Sequence, residues 1–389
     1  MRKIYLDHNA TTPLAPEVLD AMLPVYREGF GNPSSVHSEG RAARVRLDEA
    51  REQVAGLIGA EPGEIVFTSG GTESDNFAIL GTALAPENKK RHIVTCETEH
   101  SAVLNPLKQL EALDYQIERL PVDRLGRVDP ECVRNALGDA TALVTIQHAN
   151  SEVGTLQDIQ RIGEIVRERG ILFHTDAVQS AGKVPLNVKT LPVDLLSLSA
   201  HKLYGPKGVG ALFIRRGTSP LFALVCGGGQ EKKRRGGTEN VAGIVGFAKA
   251  CQLAGEHLER GDVMRLQEMR DRLWDRIQQS VPGAEFFGDS ENRLPNTLGC
   301  GFEGADGETL LIALDMEGIS VSTGSACSSG TGLPSLVLAA MQVPVDRINS
   351  SLRFSLGWSN TPDEMDRVTE VLARAVRQSR EKAVPGQMG

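Results

Sequence analysis

Between residues 40 and 250, short apolar runs alternate with longer amphipathic stretches, and that rhythm narrows the fold more than any other feature of the chain. The runs are Ile65-Val66-Phe67-Thr68, Ile93-Val94-Thr95, Leu143-Val144-Thr145-Ile146, Ile171-Leu172-Phe173-His174, Leu195-Leu196-Ser197-Leu198 and Gly210-Ala211-Leu212-Phe213-Ile214. Short buried strands separated by helix-length segments such as 158–169 predict an α/β domain with a largely parallel sheet. Ser38 is the expected N-cap of a helix through Ile58, where Ala43, Leu47, Ala50, Val54 and Leu57 recur at three- and four-residue spacing.

Past Gly236-Gly237 the pattern changes. Residues 240–280 read as one long helix with Arg and Glu on the polar face, and a smaller unit with its own strands and helices follows from about Val281. A chain of 389 residues has room for two or three domains. We expect a large domain at 15–255 and a small α+β domain at 256–389 together with 1–14. Within the latter, residues 322–332 are almost all small or polar, cannot pack a core and are expected to be mobile.

The formal net charge of −8 argues against nucleic acid as a general partner. One basic run, Lys232-Lys233-Arg234-Arg235, sits between glycine clusters and reads either as a solvated loop or as a phosphate or partner contact. No apolar stretch approaches the ~20 residues of a membrane span. The six cysteines are scattered without a Cys-x-x-Cys pair, which fits neither a zinc site nor a disulfide framework. Reduced thiols, no resident metal and a cytoplasmic location are the expectations.

In such sheets ligands bind beyond the carboxyl ends of the strands, so chemistry is sought just after each apolar run. Thr68-Ser-Gly-Gly-Thr-Glu-Ser-Asp-Asn76 reads as a phosphate cradle at a helix N-terminus or as a plain tight turn. Asp176, after the run at 171–173, is an N-cap or a carboxylate for a metal, a sugar hydroxyl or a protonated heterocycle. Lys202, in Ser199-Ala-His-Lys-Leu-Tyr-Gly-Pro-Lys-Gly208, is a snorkelling surface residue or a functional amine. Together the three supply what pyridoxal phosphate (PLP) needs: an anion cradle, an acid for a ring nitrogen and an amine for a Schiff base. His100 adds an aromatic plane for the ring, or caps the helix that follows.

At this density of motifs the sequence resembles the cysteine desulfurases of the NifS and IscS kind, in the class V aminotransferase branch of fold-type I PLP enzymes. The resemblance runs from Tyr5-Leu-Asp-His-Asn-Ala-Thr-Thr-Pro13 to Arg353-Phe-Ser-Leu-Gly357 and includes Phe30-Gly-Asn-Pro-Ser-Ser35, Thr98-Glu-His100, Arg235-Gly-Gly-Thr-Glu-Asn240 and Gly324-Ser-Ala-Cys327. It implies a mainly parallel seven-stranded sheet and removal of sulfur from L-cysteine. By that resemblance Lys202 carries PLP and acts as the base, Asp176 pairs with the ring nitrogen and His100 stacks on the ring. Asn150 and Gln179 then serve the phenolic oxygen side, with Asn150 also near substrate. Gly71, Thr72, Ser199 and His201 hold the phosphate, joined by Thr238 from the second subunit of a homodimer, and Arg353 clamps the substrate carboxylate. Cys327 takes the sulfur as a persulfide and passes it to an acceptor protein such as an iron–sulfur scaffold, serving at most as a transient cluster ligand.

A cysteine among Ser and Gly has no apolar neighbourhood to bury it, whereas Cys96, Cys132, Cys251 and Cys300 suit the role of small core residues. Three departures from the family pattern bear on the acceptor: Gly332-Leu-Pro-Ser335 lacks an acidic residue, Ser151 replaces a frequent Asn, and the carboxyl end lacks a longer tail. The nearest rivals are a selenocysteine lyase and an aminotransferase, and from another class a non-catalytic scaffold. A nicotinamide-dependent dehydrogenase is opposed by the missing Gly-x-Gly-x-x-Gly.

Overall fold

In the computed structural model, which describes residues 3–323 and 334–383, the seven apolar-rich strands of the larger sheet are laid side by side near the middle of the chain. The elements run β1 (Ile4–Tyr5), α1 (Pro16–Glu28), α2 (Ser38–Leu57), β2 (Ile65–Thr68), α3 (Gly71–Ala83), β3 (His92–Cys96), α4 (Ser101–Glu111), β4 (Gln116–Leu120) and α5 (Pro130–Ala136). Then come β5 (Thr141–Thr145), α6 (Ile159–Glu168), β6 (Leu172–Asp176), β7 (Leu195–Ser199), β8 (Gly210–Ile214), α7 (Val241–Glu259) and α8 (Asp262–Ser280). The remainder is β9 (Ala284–Phe287), β10 (Thr297–Phe302), α9 (Gly307–Met316), β11 (Ile319–Ser320), α10 (Leu336–Ala340), α11 (Val345–Asn349), β12 (Ser351–Ser355) and α12 (Pro362–Ala383).

The large sheet has the order β2-β8-β7-β6-β5-β3-β4. Strands β7, β6, β5, β3 and β4 are parallel, while β8 runs antiparallel to both β7 and β2. This is the mainly parallel seven-stranded α/β architecture expected from the sequence. Alternate side chains serve two cores, as strand geometry demands. Val94, Val144, Phe173, Leu196 and Phe213 face one, with α2, α6 and α7, while Ile93, Leu143, Leu195 and Leu212 face the other, with α3 and α4.

A separate core gathers Leu6, Leu273, Phe302, Phe354 and Val368 around the three-stranded sheet β12-β10-β9. The N-terminal segment belongs to it: β1 pairs with β11, and the Asn9 amide donates to Ser355 Oγ at 2.9 Å. Val337, Leu338, Met341 and Ile348 pack instead into the larger core, so that part of 256–389 lies against the large domain.

Two local expectations are corrected. The stretch 240–280 is two helices, because Gly261 takes a left-handed conformation (φ 73°) that ends α7 and restarts the chain as α8. The N-cap of α2 is His37, not Ser38: the His37 ring accepts from the Gly40 amide, and Ser38 is already helical.

Candidate active site

Five strand ends of the large sheet converge on one cavity of about 340 Å³. The chain leaves β2 at Thr68 toward Gly71 and Thr72, leaves β3 toward His100, and leaves β5 toward Gln147. It leaves β6 at Asp176 and β7 at Ser199, followed by His201 and Lys202. Parallel strands put these ends on one edge of the sheet, which is why residues 68 to 202 meet. The smaller core adds Arg353, and the N-terminal segment adds Asn9 and Ala10.

One end of the cavity is built for an anion. Helix α3 begins at Gly71 with its first-turn amides and positive dipole end free to face a ligand. Gly70 reaches that start at φ 154°, a conformation only glycine adopts readily. Ser199 Oγ is buried beside this helix start without a hydrogen-bond partner among the described residues. His201 also lines this cavity, its ring within 3.1 Å of Thr11 Oγ1, and burial and the neighbouring Lys202, Lys207 and Lys183 lower its pKa to about 4.

The floor of the cavity is acidic. Asp176 accepts from the Val178 amide at 2.8 Å, and burial pushes its carboxyl upward against the opposing pull of His100 and Lys202. His100 Nδ1 accepts from the Ala102 amide as the N-cap of α4, and the ring lines the cavity. Burial lowers its pKa, with Asp176 acting against this. Two residues the sequence reading passed over lie here, Asp75 and Gln147. Asp75 stands in the second turn of α3, and burial together with Asp176 raises its pKa well above the carboxylate range. Gln147 donates to the carbonyl and hydroxyl of Thr98, and its backbone amide donates to Glu99. Asp75 falls inside the glycine-rich motif that drew attention, and its position one helical turn beyond Gly71 was the available signal.

Lys202 Nζ donates to the carbonyl of Asn9 and, at 2.7 Å, to that of Ala10. Nothing in the residue types of Asn9-Ala10 announces this, because main-chain oxygens do the holding. Arg353 lies across the cavity, almost fully buried, with Nη2 on Asp7 at 2.8 Å and Nη1 on the Ser151 carbonyl at 3.2 Å. Its Nε has no partner among the described residues.

The remaining expected site residues are placed differently. Asn150 does not line the cavity: Nδ2 donates to the Thr98 carbonyl and Oδ1 accepts the amides of Glu152 and Val153, so the amide is spent on shaping a turn. Its assignment to cofactor and substrate rests on the resemblance alone. Gln179 lines the cavity, with Nε2 donating to the Asn9 carbonyl and Oε1 accepting from Lys183. Thr238 is outside this cavity, in a depression with Ser69 and Arg235, where Arg235 pairs with Glu73 at 2.8 Å. Cys327 lies outside the described residues, as does most of 322–332.

An anion cradle, a buried acid, an aromatic plane, a held amine and a carboxylate-matching guanidinium thus surround one space. Comparison with known proteins agrees with this chemistry. The family model described as aminotransferase class-V matches residues 4–368. Cysteine desulfurase IscS of Dictyoglomus turgidum is 49% identical over 379 residues, 97% of this chain and 96% of that one. Among solved structures, a NifS-like protein superposes with TM-score 0.91 at 38% identity, covering 97% of this chain and 100% of that one. A structure of SspA in complex with cysteine gives 0.80 at 36% identity, covering 91% and 99%.

Proposed function

The chain belongs to the class-V aminotransferase family and, within it, to the cysteine desulfurases, and from this premise we propose that it uses PLP to move sulfur from L-cysteine to Cys327. The observation that carries this reading is the meeting of Lys202, Asp176, His100 and Arg353 around one cavity beside the start of α3.

The residues fit the cofactor. The unpartnered Ser199 hydroxyl and the α3 amides suit a phosphate, joined by Thr72 and His201. Asp176 suits a protonated ring nitrogen, His100 a ring face, and Lys202 the covalent anchorage. When bound, PLP supplies an electron sink for bond cleavage at the substrate α-carbon.

The chain's own groups do the rest. Asp176 keeps the proton at the ring nitrogen. Arg353 fixes the substrate carboxylate and so aims the α-carbon, the task to which a guanidinium fork is suited. Lys202, released from its anchoring role, takes the α-proton and later gives it back. The Cys327 thiolate attacks the substrate sulfur: a sulfur–sulfur bond forms, the carbon–sulfur bond breaks with its electron pair going to the carbon side, the β-carbon takes a proton, and L-alanine leaves. The persulfide then passes to an acceptor protein, in this reading an iron–sulfur scaffold in the cytoplasm. A second copy of the chain completes the phosphate end by presenting its Thr238, which explains why a glycine-rich, basic loop precedes that residue.

Incubation of the purified protein with L-cysteine, followed by mass spectrometry, tests the reading. One extra sulfur is expected on Cys327, and Cys327→Ala is expected to respond spectrally to cysteine while releasing almost no sulfide. Extra sulfur on another cysteine instead, or undiminished release from the variant, overturns it.

A further inference from the structure

A second cavity of about 350 Å³ lies behind the wall that holds Lys202, between the N-terminal segment, α7, α8 and the smaller core. Its lining is mainly apolar, including Pro13, Leu253, Leu266, Leu356 and Trp358. Among the described residues Lys202 is the one that both cavities share, so it stands in the wall between them. A volume of this size with few polar groups suits a small organic molecule.

One of those polar groups is Lys183, which is 8% exposed. Its Nζ donates to the Gln179 carbonyl at 2.8 Å and to Gln179 Oε1 at 3.3 Å, and it makes no ion pair among the described residues. A buried ammonium held only by dipoles lacks its counter-charge. The other ionisable groups facing the cavity do not supply one. Glu17 is exposed at the rim, His257 is committed to Asp262 at 2.7 Å, and burial keeps His8 neutral and the Tyr204 hydroxyl protonated. Lys202 and Arg353 add positive potential from the other side, and with burial as the main cause the Lys183 pKa falls to about 7.

We propose that this cavity binds a small organic monoanion, an apolar ring-sized body bearing one carboxylate that pairs with Lys183. Binding reaches the first cavity through a short chain of contacts. Lys183 holds Gln179, and Gln179 itself lines the first cavity, where its Nε2 donates to the Asn9 carbonyl. The site would therefore report on a metabolite without competing for the substrate pocket.

The test is calorimetric titration of the holoenzyme with phenylacetate and with its neutral isostere phenylacetamide, in two buffers of different ionisation enthalpy. Phenylacetate is expected to bind with uptake of a proton and at least about tenfold more tightly than the amide, the order of one charge-assisted contact. Lys183→Met is expected to abolish that preference. Ala254→Phe, which narrows the cavity while keeping the lysine, is expected to abolish binding of both probes, and it decides the matter should the lysine variant not fold. Equal binding of acid and amide, retention of the preference in Lys183→Met, undiminished binding in Ala254→Phe, or no binding at millimolar probe overturns the proposal. None of these outcomes depends on sulfur turnover.

Discussion

Arg353 donates through Nη2 to the Asp7 carboxylate at 2.8 Å, so the guanidinium proposed for the substrate carboxylate is already oriented by the protein's own acid. With Nη1 on the Ser151 carbonyl and Nε unpartnered, part of the fork is fixed and part is available. Arg353→Lys keeps the charge but loses the fork. The expected result is a KM for L-cysteine raised about tenfold or more, with a smaller change in kcat. Asp7→Asn should raise KM less. Steady-state kinetics decide, and an unaltered KM in Arg353→Lys would remove this residue from substrate binding.

Lys202→Ala removes both the anchor and the base. Sulfide release should fall by at least ~100-fold, and the visible absorbance of the attached cofactor should be lost. A variant that keeps both would displace Lys202 from the centre of the chemistry.

Glu99 makes stability depend on pH. Burial raises its pKa to about 8 from an ordinary 4.5, although the Gln147 amide and the Cys96 thiol act against the rise. The native state therefore holds a proton that the unfolded chain has released. That contribution is complete below about pH 4.5 and is lost as pH climbs through 8. Glu99→Gln abolishes it, so the variant should gain on the parent from pH 5 to 8, by no more than ~1.4 kcal/mol per pH unit. Urea unfolding across that range measures the difference, and a flat difference refutes it.

Glu231 is the anchor of the basic loop. It takes two bonds from Arg51, at 2.6 and 2.8 Å, and one from the Phe67 amide at 3.1 Å, and its side chain is almost fully buried. It also holds Glu231, Lys232 and Lys233 at φ 44°, 56° and 66°, conformations that L residues avoid. Glu231→Ala strands the Arg51 charge and should cost ~3–5 kcal/mol in chemical denaturation, with earlier proteolysis in the loop.

Gly210 guards the anion cradle from beneath. Because β8 runs antiparallel, its first residue lies beside Thr68 and Ser199, the carboxyl ends of β2 and β7. A Cβ there would stand 2.6 Å from the Gly70 carbonyl carbon and 2.6 Å from the Leu198 oxygen. Gly210→Ala should push Gly70 away and weaken cofactor affinity at least about tenfold, while Gly217→Ala, at an open turn, should not. Equilibrium dialysis of the cofactor separates the two outcomes.

The sequence made the sheet legible where strands are covered on both faces, since β2, β5, β7 and β8 are buried at every position and mostly apolar. It hid β4, whose Gln116-Ile-Glu-Arg-Leu120 is polar because an edge strand meets solvent. It read α7 and α8 as one helix because a single glycine carries the break. Side chains at strand ends were foreseeable as site residues. The carbonyls of Asn9 and Ala10 were not, because any residue type presents a carbonyl and only topology says where it points. The turn-shaping bonds of Asn150 were not foreseeable for a related reason: an amide after a strand serves a turn as readily as a ligand.

Those two carbonyls are seated by distant partners. The Asn9 amide bonds Ser355 Oγ, and Ile4 and Tyr5 pair with Ile319 and Ser320. A ribosome adding ~5–20 residues per second needs about 20–70 s to travel from one to the other. Lys202 is added only after more than half of that interval, and from then on the N-terminal segment can be tied to the large domain, where the Thr12 amide donates to the His201 carbonyl and the Ala15 amide to the Tyr204 carbonyl. The second set of ties, to β11 and β12, is completed only when the last strand has emerged, so the carbonyls that hold the amine gain their full support at the end of synthesis.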